Sequence, residues 1–353
     1  MKDYTGKTIF LGMDVHKDSY SVTAVYDRQI VKKDRLPADP SNLIRYCQRF
    51  FPNAEIYSAY EAGFCGFNLH RFLLKNNIKN IVVDAASIEV QANNKVKTDK
   101  RDSLKIAAHL SDGRLKGIYV PSIDQEAQRS VSRLRATVVN EKTRCTNRLK
   151  GFLYYLGFKL DFNRMCPKVI KNLRNMDIEP ANKFTLNSLL DDWEYYANKI
   201  AACDQELQKQ AEEDSLTEYY RSVPGVGPTI ARVLSNELGD MSQFSNERLI
   251  FSYCGLTPSE YSSGETTRKG HITRQGKPHL RMYLTQAAWR AIRKDPSLND
   301  IFERIGGRAG GKRAIIAVAR RLIGRIRSCV KNKQYYVLAT SQRNNKSKDC
   351  DPV

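Results

Sequence analysis

Five side chains in this sequence are of types that do chemistry at phosphate: Asp14, Glu61, Asp99, Asp102 and Ser263. Asp14 ends the apolar run TIFLGMDV, Glu61 lies in IYSAYEAGFCGF, and Asp99 and Asp102 lie in KTDKRDS. Carboxylates gathered in this way hold divalent ions, which activate an attacking oxygen and stabilise a departing one. Mg²⁺ takes one or two carboxylates and keeps several waters. Spaced as i and i+3 on a helix, Asp99 and Asp102 would share a face, with Cβ atoms about 5–6 Å apart. A charge directly after so long an apolar run belongs at an edge with a task. Taken singly, each acid reads equally well as a cap or turn residue. Asp18, Asp84 and Glu89 compete, without a comparable placement.

Ser263 lies in GLTPSEYSSGETTRKGHITRQGKPHLR, after Ser262 and before Gly264, where no hydrophobic period runs. An exposed loop is expected there. A serine hydroxyl attacks poorly unless a base or surrounding charge helps it. Arg268, Lys269, Arg274, Lys277 and Arg281 follow closely; such cations grip a phosphate and stabilise the charge that builds on it. The plainer reading is a flexible turn beside ordinary nucleic-acid backbone contacts. Upstream, Gly225 and Gly227 in VPGVGPTIA read as a helix-hairpin-helix turn whose backbone N–H groups approach a phosphate, or as a simple glycine turn. The histidines show no ligand spacing and read as surface or packing residues, with His271 and His279, which flank the basic loop, read alternatively as phosphate contacts. The stretch from Arg304 to Lys333, with Gly306-Gly307 and Gly310-Gly311, reads as nucleic-acid-facing helices joined by glycine turns.

The elements that must carry these groups follow from periodicity. Residues 8–15, 20–26 and 28–35 read as strands, SNLIRYCQRFF as a helix, AEIYSAYE as a strand, GFNLHRFLLKN as a helix and NIVVDA as a strand. Strands first and alternation afterwards predict a mixed α/β sheet of the ribonuclease H kind. A helix should begin near Asp99. Beyond residue 126 the pattern turns helical and arginine-rich, and Leu186, Leu190, Trp193, Ala197, Ile200 and Leu207 form a coiled-coil-like stripe. That stripe suits either an intramolecular hairpin or a dimerisation arm.

The chain has 353 residues and a net charge of +20. A polyanionic partner is implied, nucleic acid before membrane. No segment is apolar enough to span a bilayer, and no signal peptide is read at the start. The 8 cysteines form no CxxC pair, so neither a structural zinc nor a disulfide framework is expected, and a cytoplasmic location is.

In their order and separation, GMDVHKDS, YEAGFCGF, KTDKRDS, VPGVGPTIA, FSYCGLTPSEYSSGETTRKGHITRQGKPHLR and QAAWRA resemble the DEDD-type insertion-sequence transposases, serine-dependent recombinases guided by a bridge RNA. The resemblance implies a RuvC-like α/β domain over 1–125 and a helical coiled-coil connector over 126–215. It further implies a mainly α transposase domain with a helix-hairpin-helix-like element over 216–340, and a tail over 341–353. It assigns Mg²⁺ to Asp14, Glu61, Asp99 and Asp102, and the nucleophile to Ser263, with Ser262 one residue away. Its partners are donor and target DNA, a structured guide RNA, and further copies of the chain as a dimer or tetramer associated with the nucleoid. The alternatives are a metal-dependent junction resolvase or nuclease that uses water, and a non-catalytic nucleic-acid-binding protein.

Overall fold

In the computed structural model, which describes residues 3–85, 99–263, 266–273 and 275–338, the run TIFLGMDV forms β1 (Thr8–Val15). It is the middle strand of a sheet ordered β3-β2-β1-β4-β5. β2 (Ser19–Tyr26) and β3 (Gln29–Pro37) are antiparallel to their neighbours, whereas β4 (Glu55–Glu61) and β5 (Lys79–Val83) run parallel. Between them come α1 (Pro40–Phe50) and α2 (Asn68–Lys75), and α3 (Asp99–Ser111) follows. Asp39 caps α1 by accepting from the Ser41 N–H, and Pro40 opens its first turn.

Strand alternation sorts the core into two faces. Ile9, Leu11, Met13, Val22 and Ala24 pack with Leu43 and Cys47 of α1 and Leu69 and Leu73 of α2. The opposite face carries Ala59, Val83 and Phe10 against Ile106 and Leu110 of α3. The strands and helices expected from the sequence are all present in this unit, Met1–Pro121.

The second unit, Ser122–Val353, is mainly helical. Its helices α4 (Ile123–Tyr155) and α6 (Pro180–Glu212) lie antiparallel. Arg135 pairs with Asp204 at 2.6 Å, the Trp193 indole donates to Thr146 at 3.0 Å, and Leu149 and Leu153 meet Leu186 and Leu190. Partners thus climb α4 as they descend α6, and α5 (Pro167–Arg174) adds Ile170 and Leu173 to the same cluster. These leucines of the stripe are covered by α4 of the same chain.

A larger core joins α7 (Leu216–Arg221), α8 (Pro228–Leu238), α9 (Glu247–Tyr253), α10 (Pro278–Ala291), α11 (Pro296–Ala309) and α12 (Gly311–Asn332). Between α9 and α10 runs a hairpin of β6 (Pro258–Ser263) and β7 (Thr266–Ile272). One expectation needs correction. Gly306-Gly307 lies inside α11, and only Gly310, with φ +81°, breaks the chain before α12. α12 is a core helix, burying Ile315, Val318, Leu322, Ile323 and Ile326 on one face and carrying its arginines on the rest. Among the described residues, no helix is long and apolar enough to cross a membrane.

Candidate active site

Asp14 and Glu61 occupy equivalent places on adjacent parallel strands. The ladder pairs Met13 with Tyr60, so the next residue on each strand is an acid at its C-terminal end. Neighbouring strands lie about 4.8 Å apart. Both acids belong to the face covered by α3, because Gly12 and Ala59, two residues earlier, face that helix. Gly12 explains how the helix comes so close. A Cβ there would lie 2.1 Å from the Ser103 carbonyl oxygen and 2.3 Å from the Ala107 N–H nitrogen. The buried hydroxyls of Thr23 and Ser103 share a hydrogen bond of 2.9 Å, which fixes the rotation of the helix. Asp102, adjacent to Ser103, is thereby held at the sheet's acid-bearing edge.

Asp14 is 22% exposed at its side chain and Asp102 is 25% exposed, so both are reachable from solvent without being loose. His16 Nε2 stands 3.2 Å from Asp14 Oδ2, and Lys105 Nζ 3.9 Å from Asp102 Oδ1. Asp99 is the first residue of α3, and its side chain lies outside the described set. Among the described residues, no three His, Cys, Asp or Glu side chains draw together as a ready-made metal cluster. The donors are nonetheless hard carboxylate oxygens on three adjoining elements, a set whose chemistry fits a divalent cation such as Mg²⁺. Sequence reasoning missed Gly12, although a glycine within an apolar strand is a recognised sign of close backbone approach.

Ser263 is not in a loop, contrary to expectation. It is the last residue of β6, in register with Thr266, while Ser262 faces Thr267 across the ladder. The segment alternates too weakly to announce a strand, and the pairing appears only once both halves of the hairpin exist. Arg268 and Lys269 lie on β7 opposite Tyr261 and Glu260; Arg274 lies outside the described residues.

The root of the hairpin is tightly built. Arg281 donates to the Gly255 carbonyl at 3.0 Å, while Gly255 and Gly276 adopt φ of +67° and +82°. A Cβ on Gly276 would meet the Ser252 carbonyl oxygen at 2.4 Å, and one on Gly255 the Gln275 carbonyl oxygen at 2.3 Å. Arg281 is therefore a clamp on the hairpin's root. Lys277 begins the exit, its N–H donating to the Tyr253 carbonyl at 2.9 Å.

Behind this root lies a buried charge. Glu237 of α8 is fully enclosed, with Arg133 of α4 donating to it through Nε at 2.9 Å and Nη2 at 3.1 Å. His279, in the first turn of α10, places Nε2 3.2 Å from Glu237 Oε1. Burial pushes the Glu237 carboxyl up, but His279 and Arg133 outweigh it and hold it at about 2. His279 thus packs against an internal carboxylate that ties three helices together.

Gly225 and Gly227 lie in the turn between α7 and α8. Gly225 has φ +85°, and a Cβ on it would come 2.3 Å from the Ala287 carbonyl oxygen, so its α-carbon is seated on α10. Gly227 is the N-cap of α8, with the Arg290 guanidinium 3.8 Å from where its Cβ would stand.

The first unit thus carries Asp14 and Glu61 at the ends of paired strands, and the second carries a serine hairpin on a helical root, residue types that suit an enzyme acting on phosphate. Comparisons with known proteins narrow the class. Residues 11–156 match a DEDD transposase domain, and residues 218–303 match the domain described as the transposase IS116/IS110/IS902 family. The y4rJ protein of Sinorhizobium fredii, assigned as a transposase, is 30% identical over 78% of this chain and 76% of its own length. The transposase for insertion sequence element IS1533 of Leptospira borgpetersenii is 26% identical over 93% of this chain and 97% of its own. The chain belongs to the IS110/IS116 family of transposases, enzymes that cleave and rejoin DNA.

Proposed function

We propose that this transposase is a magnesium-dependent, RNA-guided recombinase with a RuvC-like first unit, which excises and inserts its own mobile element through a phosphoserine intermediate. The reading rests above all on Asp14 and Glu61 ending adjacent parallel strands beside the helix that carries Asp99 and Asp102. These four carboxylates would hold Mg²⁺, which when bound supplies charge neutralisation and polarisation at the phosphate.

Ser263 Oγ attacks phosphorus, forming a serine–phosphate ester as the bond to one deoxyribose oxygen breaks. The serine proton passes to that departing oxygen. A deoxyribose hydroxyl of the second strand then attacks the ester, restoring the serine, so the number of phosphodiester bonds is conserved. Arg268, Lys269, Arg274 and Lys277 neutralise the charge that develops, and Arg281 holds the hairpin that presents them. Gly225 and Gly227 allow backbone N–H groups to approach a flanking phosphate. A structured guide RNA is held through its backbone and shape by basic surface of the first unit and the α4–α6 connector, and its base pairing selects donor and target DNA. Two or four copies assemble on the DNA, and the charge keeps the protein on the nucleoid.

The test is a denaturant-resistant protein–DNA adduct formed by the full chain with its co-purifying RNA. The adduct should vanish in Ser263→Ala and persist in Ser262→Ala. Asp14→Asn and Asp102→Asn should lose strand exchange and retain DNA binding. An adduct-free cleavage that survives Ser263→Ala would favour water as the nucleophile and a nuclease reading instead.

A further inference from the structure

The loop after Glu61 is tied down at both ends yet sends one aromatic ring into solvent. Ala62 N–H donates to the Val83 carbonyl at 2.8 Å, and Gly66 N–H donates to the Gly63 carbonyl at 3.2 Å. The Tyr60 hydroxyl, on a fully buried ring, donates to the Gly66 carbonyl at 3.0 Å and accepts from the His70 N–H at 3.3 Å. Gly66 takes φ +57° to close the turn. Cys65 and Phe67 pack inward on the sheet core. Phe64 alone stands out, 71% exposed.

A single exposed aromatic is ordinary on a protein surface. What distinguishes this one is its neighbourhood. Glu61 lies three residues away, and the β1–β2 connection at the same strand ends presents His16 and the exposed Lys17. Acids for a cation, a lysine for a phosphate and a ring for a base then share one edge. An aromatic fixed on an anchored loop stacks on an unpaired base at little entropic cost.

Resting on the function proposed above, we propose that Phe64 is a positioning residue that stacks on a DNA base beside the phosphate being cleaved, taking that base out of its helix. The ring replaces a base–base stack, so the distorted flank is stabilised while its phosphate remains on the acid edge.

The probe is a duplex spanning one end of the encoding element, with 2-aminopurine at positions flanking the cleaved bond. It is bound by the full chain with its co-purifying RNA in a Ser263→Ala background, which keeps the DNA intact. A fluorescence change on binding should appear, be lost on adding Phe64→Ala, and return with Phe64→Trp. With the serine present, Phe64→Ala should lower cleavage about 5- to 150-fold, the cost of one base–aromatic stack, while overall DNA binding is kept. A mismatch at the flanking base should restore most of that loss, which a merely structural role would not do. The proposal falls if Phe64→Ala cleaves within about twofold of wild type, if Phe64→Leu matches Phe64→Trp, or if Phe64→Ala loses its RNA while unstacking persists. Cleavage surviving Ser263→Ala would instead count against the serine mechanism, and the fluorescence arm would still decide the role of Phe64.

Discussion

Asp14 and Glu61 end strands with hydrogen-bonded neighbours on both sides and helices over both faces, whereas Ser263 ends a strand that pairs with β7 alone. The first unit places its acids by register: once β1 and β4 pair, the two carboxylates cannot separate without breaking the sheet. The second unit places its serine from below. An isolated two-stranded hairpin is marginal in water, so the position of Ser263 depends on the root, where Gly255, Gly276 and Arg281 lock backbone against backbone. The acids are thus mounted in a sheet paired on both sides, and the serine on a ribbon held only at its root.

Damage to the two mounts should therefore have different signatures. The largest effect is expected from Gly12→Ala. Its Cβ would enter the backbone of α3 at 2.1 Å, forcing the helix away from the sheet. Overpacking of this kind costs about 1–3 kcal/mol, and because Asp102 moves with the helix, cleavage should fall far more than the melting temperature suggests. Near-normal cleavage by a well-folded Gly12→Ala protein would break the idea that α3 positions Asp102.

The next effect concerns the second unit. Glu237→Gln leaves Arg133 and His279 without their carboxylate. Arg133 is half-exposed and screened by water, and the buried Arg129, 3.9 Å from the carboxylate, keeps its bonds to the Asn236 and Glu237 carbonyls, so the loss should be about 2 kcal/mol rather than the 3–5 of a fully buried pair. The Glu237 carboxyl sits at about 2, below its ordinary 4.5. Its stabilisation is therefore complete above about pH 4.5 and lost as the pH falls toward 2. Thermal melts of wild type and Glu237→Gln should differ at neutral pH and converge across that interval. A constant gap would show that the carboxylate's charge is not what matters.

Smallest is Arg281→Lys, which keeps a cation but loses the guanidinium that reaches the Gly255 carbonyl. The net loss is that of one ordinary hydrogen bond, about 0.5–1.5 kcal/mol, and should slow adduct formation roughly 2- to 10-fold while leaving the first unit's melting unchanged. An effect only on DNA affinity would make Arg281 a phosphate contact and not a clamp.

The apolar runs and their periods made the first unit's elements legible, since burial on one or both faces of a strand leaves its mark on residue types. They also placed Asp14 and Glu61 at strand ends. The hairpin that carries Ser263 was not legible, because PSEYSS and TTRKGHI hold too few apolar residues to write a period of two. Gly306-Gly307 read as a turn but stays helical, where Phe302, one turn earlier, meets Trp289 edge to face and Ala314 of α12 lies 3.8 Å from where a Cβ on Gly306 would stand. His279 read as a packing residue or a phosphate contact, and it packs against Glu237, a residue 42 positions earlier that no local pattern joins to it.

By itself the amino-acid order determined the family motifs, the elements of the sheet and the strongly basic charge, since these depend on residue type and on spacing along the chain. Only the tertiary structure decided that Gly12 seats α3 against β1, that the α6 leucines are spent on α4, and that Arg281 grips backbone. Those are contacts between distant segments, settled by which surfaces fit when the chain closes on itself.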